Sequence, residues 1–162
     1  MRPSLRKAVL SAHLAFSVGW IGAVVVYLCL GVAATATSNA EVIRAAWLSM
    51  DIAGWYVIVP LAAGSVVTGI VVALGSKWGL FRHYWVVISL ATTSLCAVVL
   101  VLHMPTVTAS ADVARTASAV ALEELGGDLF HPSLGLVLLL FVHVLNVYKP
   151  RGLTKYGWRK TG

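Results

Sequence analysis

Charge is what this sequence has least of. Only 11% of its residues are Asp, Glu, Lys or Arg, about half the share found in an ordinary soluble domain. Long stretches carry no charge at all, which excludes a conventional water-soluble fold of this length. Cysteine is almost as scarce. Cys29 and Cys96 stand apart in apolar runs, with no CxxC pair and no CxxCH for covalent c-type haem. They read as packing residues and say nothing of the redox compartment. A cleavable export signal is not evident. Arg2, Arg6 and Lys7 give a basic start, but the apolar run from Ala8 to Ala34 far exceeds a signal core. Nor is there a basic surface of its own for a nucleic acid to dock on, despite a net charge of +6.

What is present is hydrophobicity: 59% of the residues are apolar. The runs divide into four spans, 9–32, 52–74, 84–104 and 130–148. At about 1.5 Å per residue, roughly 20 residues cross a hydrocarbon core of about 30 Å. The expected fold is all-α, a four-transmembrane-helix bundle occupying residues 1–162 as one integral membrane domain. Pro60 falls inside the second span and should kink it. Between the spans, Glu41 to Met50 and Ala111 to Leu125 have the patterning of short interfacial helices, and Gly126-Gly127-Asp128 breaks the second.

Orientation follows from where the charges fall. Ten of the twelve Lys and Arg residues lie in the N-terminal segment, the 75–83 loop and the C-terminal tail. The opposite loops hold only Arg44 and Arg115, together with all six acidic residues. The positive-inside rule then puts both termini in the cytoplasm of a bacterial inner membrane. The basic residues become juxtamembrane anchors beside anionic lipid, a partner worth about 1 kcal/mol per residue. Gly79 and Pro150-Arg151-Gly152 are turn formers that would fix the inner loop and the tail against each other.

Ionisable residues inside a membrane are costly and point to function. His13, Ser17, Trp20, Val24 and Tyr27 share a face of span one. Asp51, Trp55, Ile58, Ala62, Ser65 and Gly69 share one of span two. Ser89, Thr92, Cys96, Val99 and His103 do so in span three, and His143 and Asn146 lie a turn apart in span four. His13 and His143 fall at similar depth on the cytoplasmic side, with His83 at its edge. Two such histidines suit axial ligation of a b-type haem, with Trp20 and Trp85 lining the ring and Arg82 pairing with a propionate. The protein would then carry electrons, with quinone or another membrane redox protein as partner. A second, outer group comprises Asp51, His103 and His131, which could hold Cu or Zn or pass protons. His13 and His143 are themselves candidate metal ligands. Beside these readings stands a plainer one, in which the histidines hydrogen-bond neighbouring helices in a structural or partner-binding subunit without cofactor. Ion transport is a further alternative, although Pro60 in mid-span gives little sign of broken transporter helices.

The segments KAVLSAHLAFSVGWIG (7–22), GSKWGLFRHYWV (75–86), HMPTV (103–107) and YKPRGLTKYGWRK (148–160) together resemble a small, largely uncharacterised actinobacterial family of four-helix integral membrane proteins. That resemblance implies the membrane class and transfers no activity. The first segment is also similar to copper-resistance-D-type and membrane protoporphyrinogen-oxidase-type proteins through His13, Trp20 and Gly22. The latter similarity implies a haem-binding role for His13. The chain lacks the intramembrane lysine that would complete that pattern.

Overall fold

The computed structural model describes residues 2–76 and 78–159. Lys77 and Lys160, counted above among the basic residues, lie outside them. Helix α1 spans Pro3–Thr35 and α2 spans Ala40–Ala53. A π-helical turn, Gly54–Ile58, joins α2 to α3, Val59–Leu74. Then come α4 (Tyr84–Thr116), α5 (Ala119–Leu125), α6 (Phe130–Tyr148) and a single turn, α7 (Lys155–Arg159). Four helical stretches are long and apolar enough to cross a membrane. The fold is an all-α, four-helix bundle of membrane-spanning length, a multi-pass integral membrane protein.

The outside of the bundle bears this out. Val26, Val67, Leu95, Leu102, Val137 and Val144 are all more than half exposed. In water such a surface would drive aggregation, whereas in lipid it is the required exterior. Polar stripes turn inward instead. Ser17 Oγ lies 2.9 Å from Ser65 Oγ across α1 and α3. Ser89 donates to Asn146 Oδ1 at 3.0 Å across α4 and α6. Each bond satisfies two groups that lipid could not.

The helices depart from the hydropathy reading: α1 already begins at Pro3, and the expected 41–50 helix and second span run on as one stretch, Ala40–Leu74. The third span does not stop near residue 104. It runs through Pro105 to Thr116, a helix of 33 residues and about 50 Å at the standard rise, too long for the hydrocarbon core alone. Its last turns are held by packing, not by lipid. Ala111 and Ala114 are fully buried, and their small side chains let α2 approach with Ile43, Ala46 and Met50. Arg44, on α2, donates to the carbonyls of Ala114, Arg115 and Ala117. These are among the carbonyls that the end of α4 leaves without helical partners. The expected 111–125 helix is therefore divided between the end of α4 and α5. The fourth span begins at Phe130, the start that its length requires.

A further departure is the π turn before Pro60. A proline ring clashes with the carbonyl four residues earlier, here that of Tyr56. The wider π turn contains Tyr56 and removes the clash without ending the helix. Gly54 opens this turn beside α4, where a Cβ would press on the flexible end of the Met104 side chain.

The two ends of the bundle are built differently. At the basic end, the tail lies along the α3–α4 loop. Leu153 pairs with His83 in an isolated antiparallel bridge. The Thr154 amide donates to the Arg82 carbonyl at 3.1 Å, and the Tyr84 amide to the Gly152 carbonyl at 3.2 Å. Loop and tail are thus held together by main-chain bonds of residues 82–84 with residues 152–154, of which Gly152 alone is one of the expected turn formers. At the acidic end, α2, the end of α4 and α5 form a cap over the spans. The most completely buried side chains, Ile43, Met50, Met104, Val107 and Leu122 among them, cluster toward this end. Here the helices outrun the hydrocarbon core, and burial from water supplies the driving force that lipid does not.

Candidate metal centre

Below the cap, three side chains from two segments converge. His103 projects from α4. Asp128 and His131 come from the α5–α6 junction, and their three-residue spacing puts them on one face as α6 begins. His103 Nε2 donates to Asp128 Oδ2 at 2.7 Å. His131 Nδ1 lies 3.5 Å from Asp128 Oδ1. The two imidazoles stack, with centroids 3.7 Å apart and planes inclined by 23°. A ligand atom from each of the three residues lies within 4.8 Å of the others. Tyr27, on α1, adds a fourth contact: its hydroxyl donates to Asp128 Oδ2 at 3.0 Å. The Asp128 side chain is only 8% exposed.

Glycine makes this placement possible. Gly31 of α1 packs against the Asp128 backbone, where a Cβ would meet the Asp128 carbonyl at 2.6 Å. Gly127 packs back on α1, where a Cβ would meet the Gly31 carbonyl at 2.1 Å. The α5–α6 connection is thereby pressed onto α1. Gly126 takes a positive φ of 58° to turn the chain, and its carbonyl accepts from Trp47 Nε1 at 3.0 Å. The carboxylate is thus positioned by backbone contact and a cap residue, independently of its imidazole partners.

A carboxylate so far from water needs a positive partner or several hydrogen bonds. Asp128 has a phenol and an imidazole on one oxygen and a second imidazole beside the other. Two imidazole nitrogens and a carboxylate oxygen are also a donor set for zinc and other divalent transition metals. The donor atoms lie close enough together for such an ion, and the stacked imidazoles would have to turn to bring both in-plane lone pairs onto it. The proton now between His103 and Asp128 would leave as it bound, and Tyr27 would remain as an outer partner orienting the carboxylate.

Three protein ligands would leave a metal with a free side, and space adjoins the cluster. A cavity of about 180 Å³ runs from it between α1, α4 and α6. Apart from the cluster and Tyr27 its wall is nearly all apolar, Trp20, Met104 and Leu139 among the residues that form it. Cys96 also borders it, seven residues from His103 and thus about 10 Å along the helix, too far to share an ion with it.

The sequence-predicted residues distribute as follows. His103 and His131 come together as the outer group requires. Asp51 does not join them. It accepts from the Thr108 hydroxyl at 2.7 Å, and that hydroxyl accepts from Trp55 Nε1 at 3.0 Å. Asp128, read from sequence only as part of a helix break, supplies the carboxylate instead. The D-x-x-H spacing of Asp128 and His131 at a helix start was the available signal. Tyr27 was placed on the correct face of α1 but given no role.

The inner residues have other surroundings. His13 Nδ1 donates to the Ser65 carbonyl at 3.1 Å, with the Thr68 hydroxyl at the same distance. His143 is exposed on α6. A bis-histidine haem needs both imidazoles turned toward one ring, so this geometry lends no support to the axial pair. Trp20 is buried in the wall of the outer cavity. His83 Nδ1 donates to the Trp78 carbonyl at 2.8 Å. Arg82 engages the tail through its carbonyl. Neither His13 nor His143 borders the cavity beside the cluster.

Gly127→Ala should lower the unfolding free energy in mixed micelles by about 1–3 kcal/mol, because backbone and not a flexible side chain must yield. Gly22→Ala is the control, since a Cβ there meets nothing within 4 Å. It should be neutral or stabilising by up to about 1 kcal/mol. Equal effects from the two would remove the close-approach account.

Compared with protein-family models, with curated proteins and with solved structures, the chain gave no match. The resemblances noted above therefore rest on the segments that carry them.

Proposed function

We propose that this chain is a membrane metal-binding protein in which His103, Asp128 and His131 hold one divalent transition metal, zinc or copper. The observation that carries the reading is the approach of the three ligand atoms to within 4.8 Å of one another, around a carboxylate that is nearly out of water. The donor set mixes two imidazoles with one carboxylate, which suits borderline ions better than Mg or Ca. The adjoining cavity would give a ligand room beside the three residues that would hold the ion, as in metal sites that act on a ligand and unlike closed structural sites.

We further infer that the basic end faces the cytoplasm of a bacterial inner membrane, with both termini inside. The support is the placement of ten of the twelve Lys and Arg residues at that end. The metal site then lies at the outer membrane surface. Reporter fusions after Gly79 and Gly157 should score as cytoplasmic, and fusions near Asn39 and Gly126 as external. The reverse pattern would move the site to the inner face.

Zinc titrated into chelator-stripped protein in detergent should bind at one equivalent, read by calorimetry. His103→Ala, Asp128→Asn and His131→Ala should each abolish stoichiometric binding. Tyr27→Phe should weaken it by about 10- to 100-fold, the usual effect of losing an outer-sphere partner. Asp51→Asn should leave it unchanged. If neither zinc nor copper binds the wild type, the cluster is a structural hydrogen-bonded group and the subunit reading without cofactor takes its place.

A further inference from the structure

The cavity beside the cluster opens sideways. Its α1 and π-turn walls are sealed, with Trp20 and Ile58 each 2% exposed. Its α4 and α6 walls reach the outside of the bundle, where Leu95 is 58%, Val99 44% and Leu134 48% exposed. All three lie in the apolar spans, so this side of the cavity faces lipid, while His131 at its polar end is 45% exposed. An apolar molecule dissolved in the bilayer can therefore reach the cavity from this side.

Size and wall chemistry narrow its class. A cavity of about 150 Å³ is enough to hold benzene, so about 180 Å³ accepts one six-membered ring with small substituents and excludes a macrocycle. Only one end of the cavity is polar, and that end carries the imidazoles of His103 and His131, the Asp128 carboxylate and the Tyr27 hydroxyl. A ring that fills the space meets hydrogen-bonding groups at that end alone. An oxygen there would find partners, while a hydrocarbon ring would leave them facing apolar surface.

We propose that this cavity binds the head ring of a membrane-dissolved quinone or phenol. The ring enters between α4 and α6, sets its oxygen against the His103–Asp128–His131 cluster and leaves its hydrocarbon chain in the bilayer. This deepens the metal reading, on which it rests for the ion whose free side the ring oxygen would face. The fit of the ring is nevertheless read at residues other than the ligands.

Two wall residues make the test direct. Trp20 is a buried fluorophore beside the ring position, and quinones quench indole emission on contact. Gly135 borders the cavity with open space, since a Cβ there meets nothing within 4 Å. Larger side chains at 135 should therefore fill the cavity from within.

Decyl-ubiquinone is titrated into the protein in lipid nanodiscs, and the quenching of wild type is compared with that of Trp20→Phe to isolate the Trp20 component. A saturable Trp20 component is expected. Gly135→Phe should weaken it at least tenfold, and the smaller Gly135→Leu should weaken it less. Dodecanol, which has a chain and a hydroxyl but no ring, should not displace the quinone. Quenching that rises without saturation, equally in all variants, is simple partitioning and overturns the proposal. Displacement by dodecanol at matched concentration also overturns it, by making the cavity a slot for any lipid chain. If Gly135→Phe does not assemble, Gly135→Leu and the dodecanol competition decide. Calorimetry with zinc on the same samples separates the two readings: saturable quenching without zinc binding sinks the metal and keeps the ring, and the converse sinks the ring alone.

Discussion

Asp128 presents its carboxylate to two imidazoles and a phenol with only 8% of its side chain exposed. An unpaired charge in such a place would cost several kcal/mol. The local arrangement answers to that constraint. The phenol of α1 and the imidazole of α4 share one oxygen, and the imidazole at the start of α6 lies beside the other. Three of the spans that surround the cavity are thereby tied at one point. Removing any partner leaves the rest of the group under-compensated, because each ring nitrogen or hydroxyl meets the same carboxylate.

The cap explains why the group can exist there. A bundle in lipid gains little from burying apolar side chains, since the surrounding tails are equally apolar. The ends that leave the bilayer are under ordinary aqueous rules. At the acidic end the chain adds α2, α5 and the extended end of α4, and it is there that burial is most complete. Trp47 and Arg44 spend their donors on the Gly126 carbonyl and on the end of α4. That roof fixes the α5–α6 connection from above while the Gly31–Gly127 contact fixes it from the side. The basic end has a lighter closure, made mostly by main-chain bonds between loop and tail. Among the described residues, the His and Asp side chains that gather in one group lie at the other end.

Much of this was legible in the sequence, and the failures have a common cause. Hydropathy and charge locate four spans because lipid imposes length and composition directly. The small polar stripes were legible as well, and Ser17 does meet Ser65 and Ser89 does meet Asn146. Depth can be read by counting 1.5 Å per residue. Rotation about the helix axis and the choice of neighbour cannot. His13 and His143 share a depth, yet one turns to α3 and the other lies exposed. Asp51 stands near the correct end, yet its oxygen goes to Thr108. Asp128 was hidden because it follows two glycines, and that pattern reads as a turn. Only the close approach to Gly31 makes the turn a wall of the site. The length of α4 was missed because hydropathy marks only the part that crosses lipid, whereas packing against α2 carries the helix beyond it.

Whether an ion occupies the cluster is the central question, and anomalous scattering addresses it at atomic level. Crystals grown from zinc-loaded protein in lipidic phase would be measured above and below the zinc absorption edge. The account predicts one anomalous peak about 2.0–2.2 Å from a nitrogen of His103, a nitrogen of His131 and an oxygen of Asp128, with the peak's open side facing the cavity beside Trp20. A map with no peak there, and with His103 still 2.7 Å from Asp128, would contradict it.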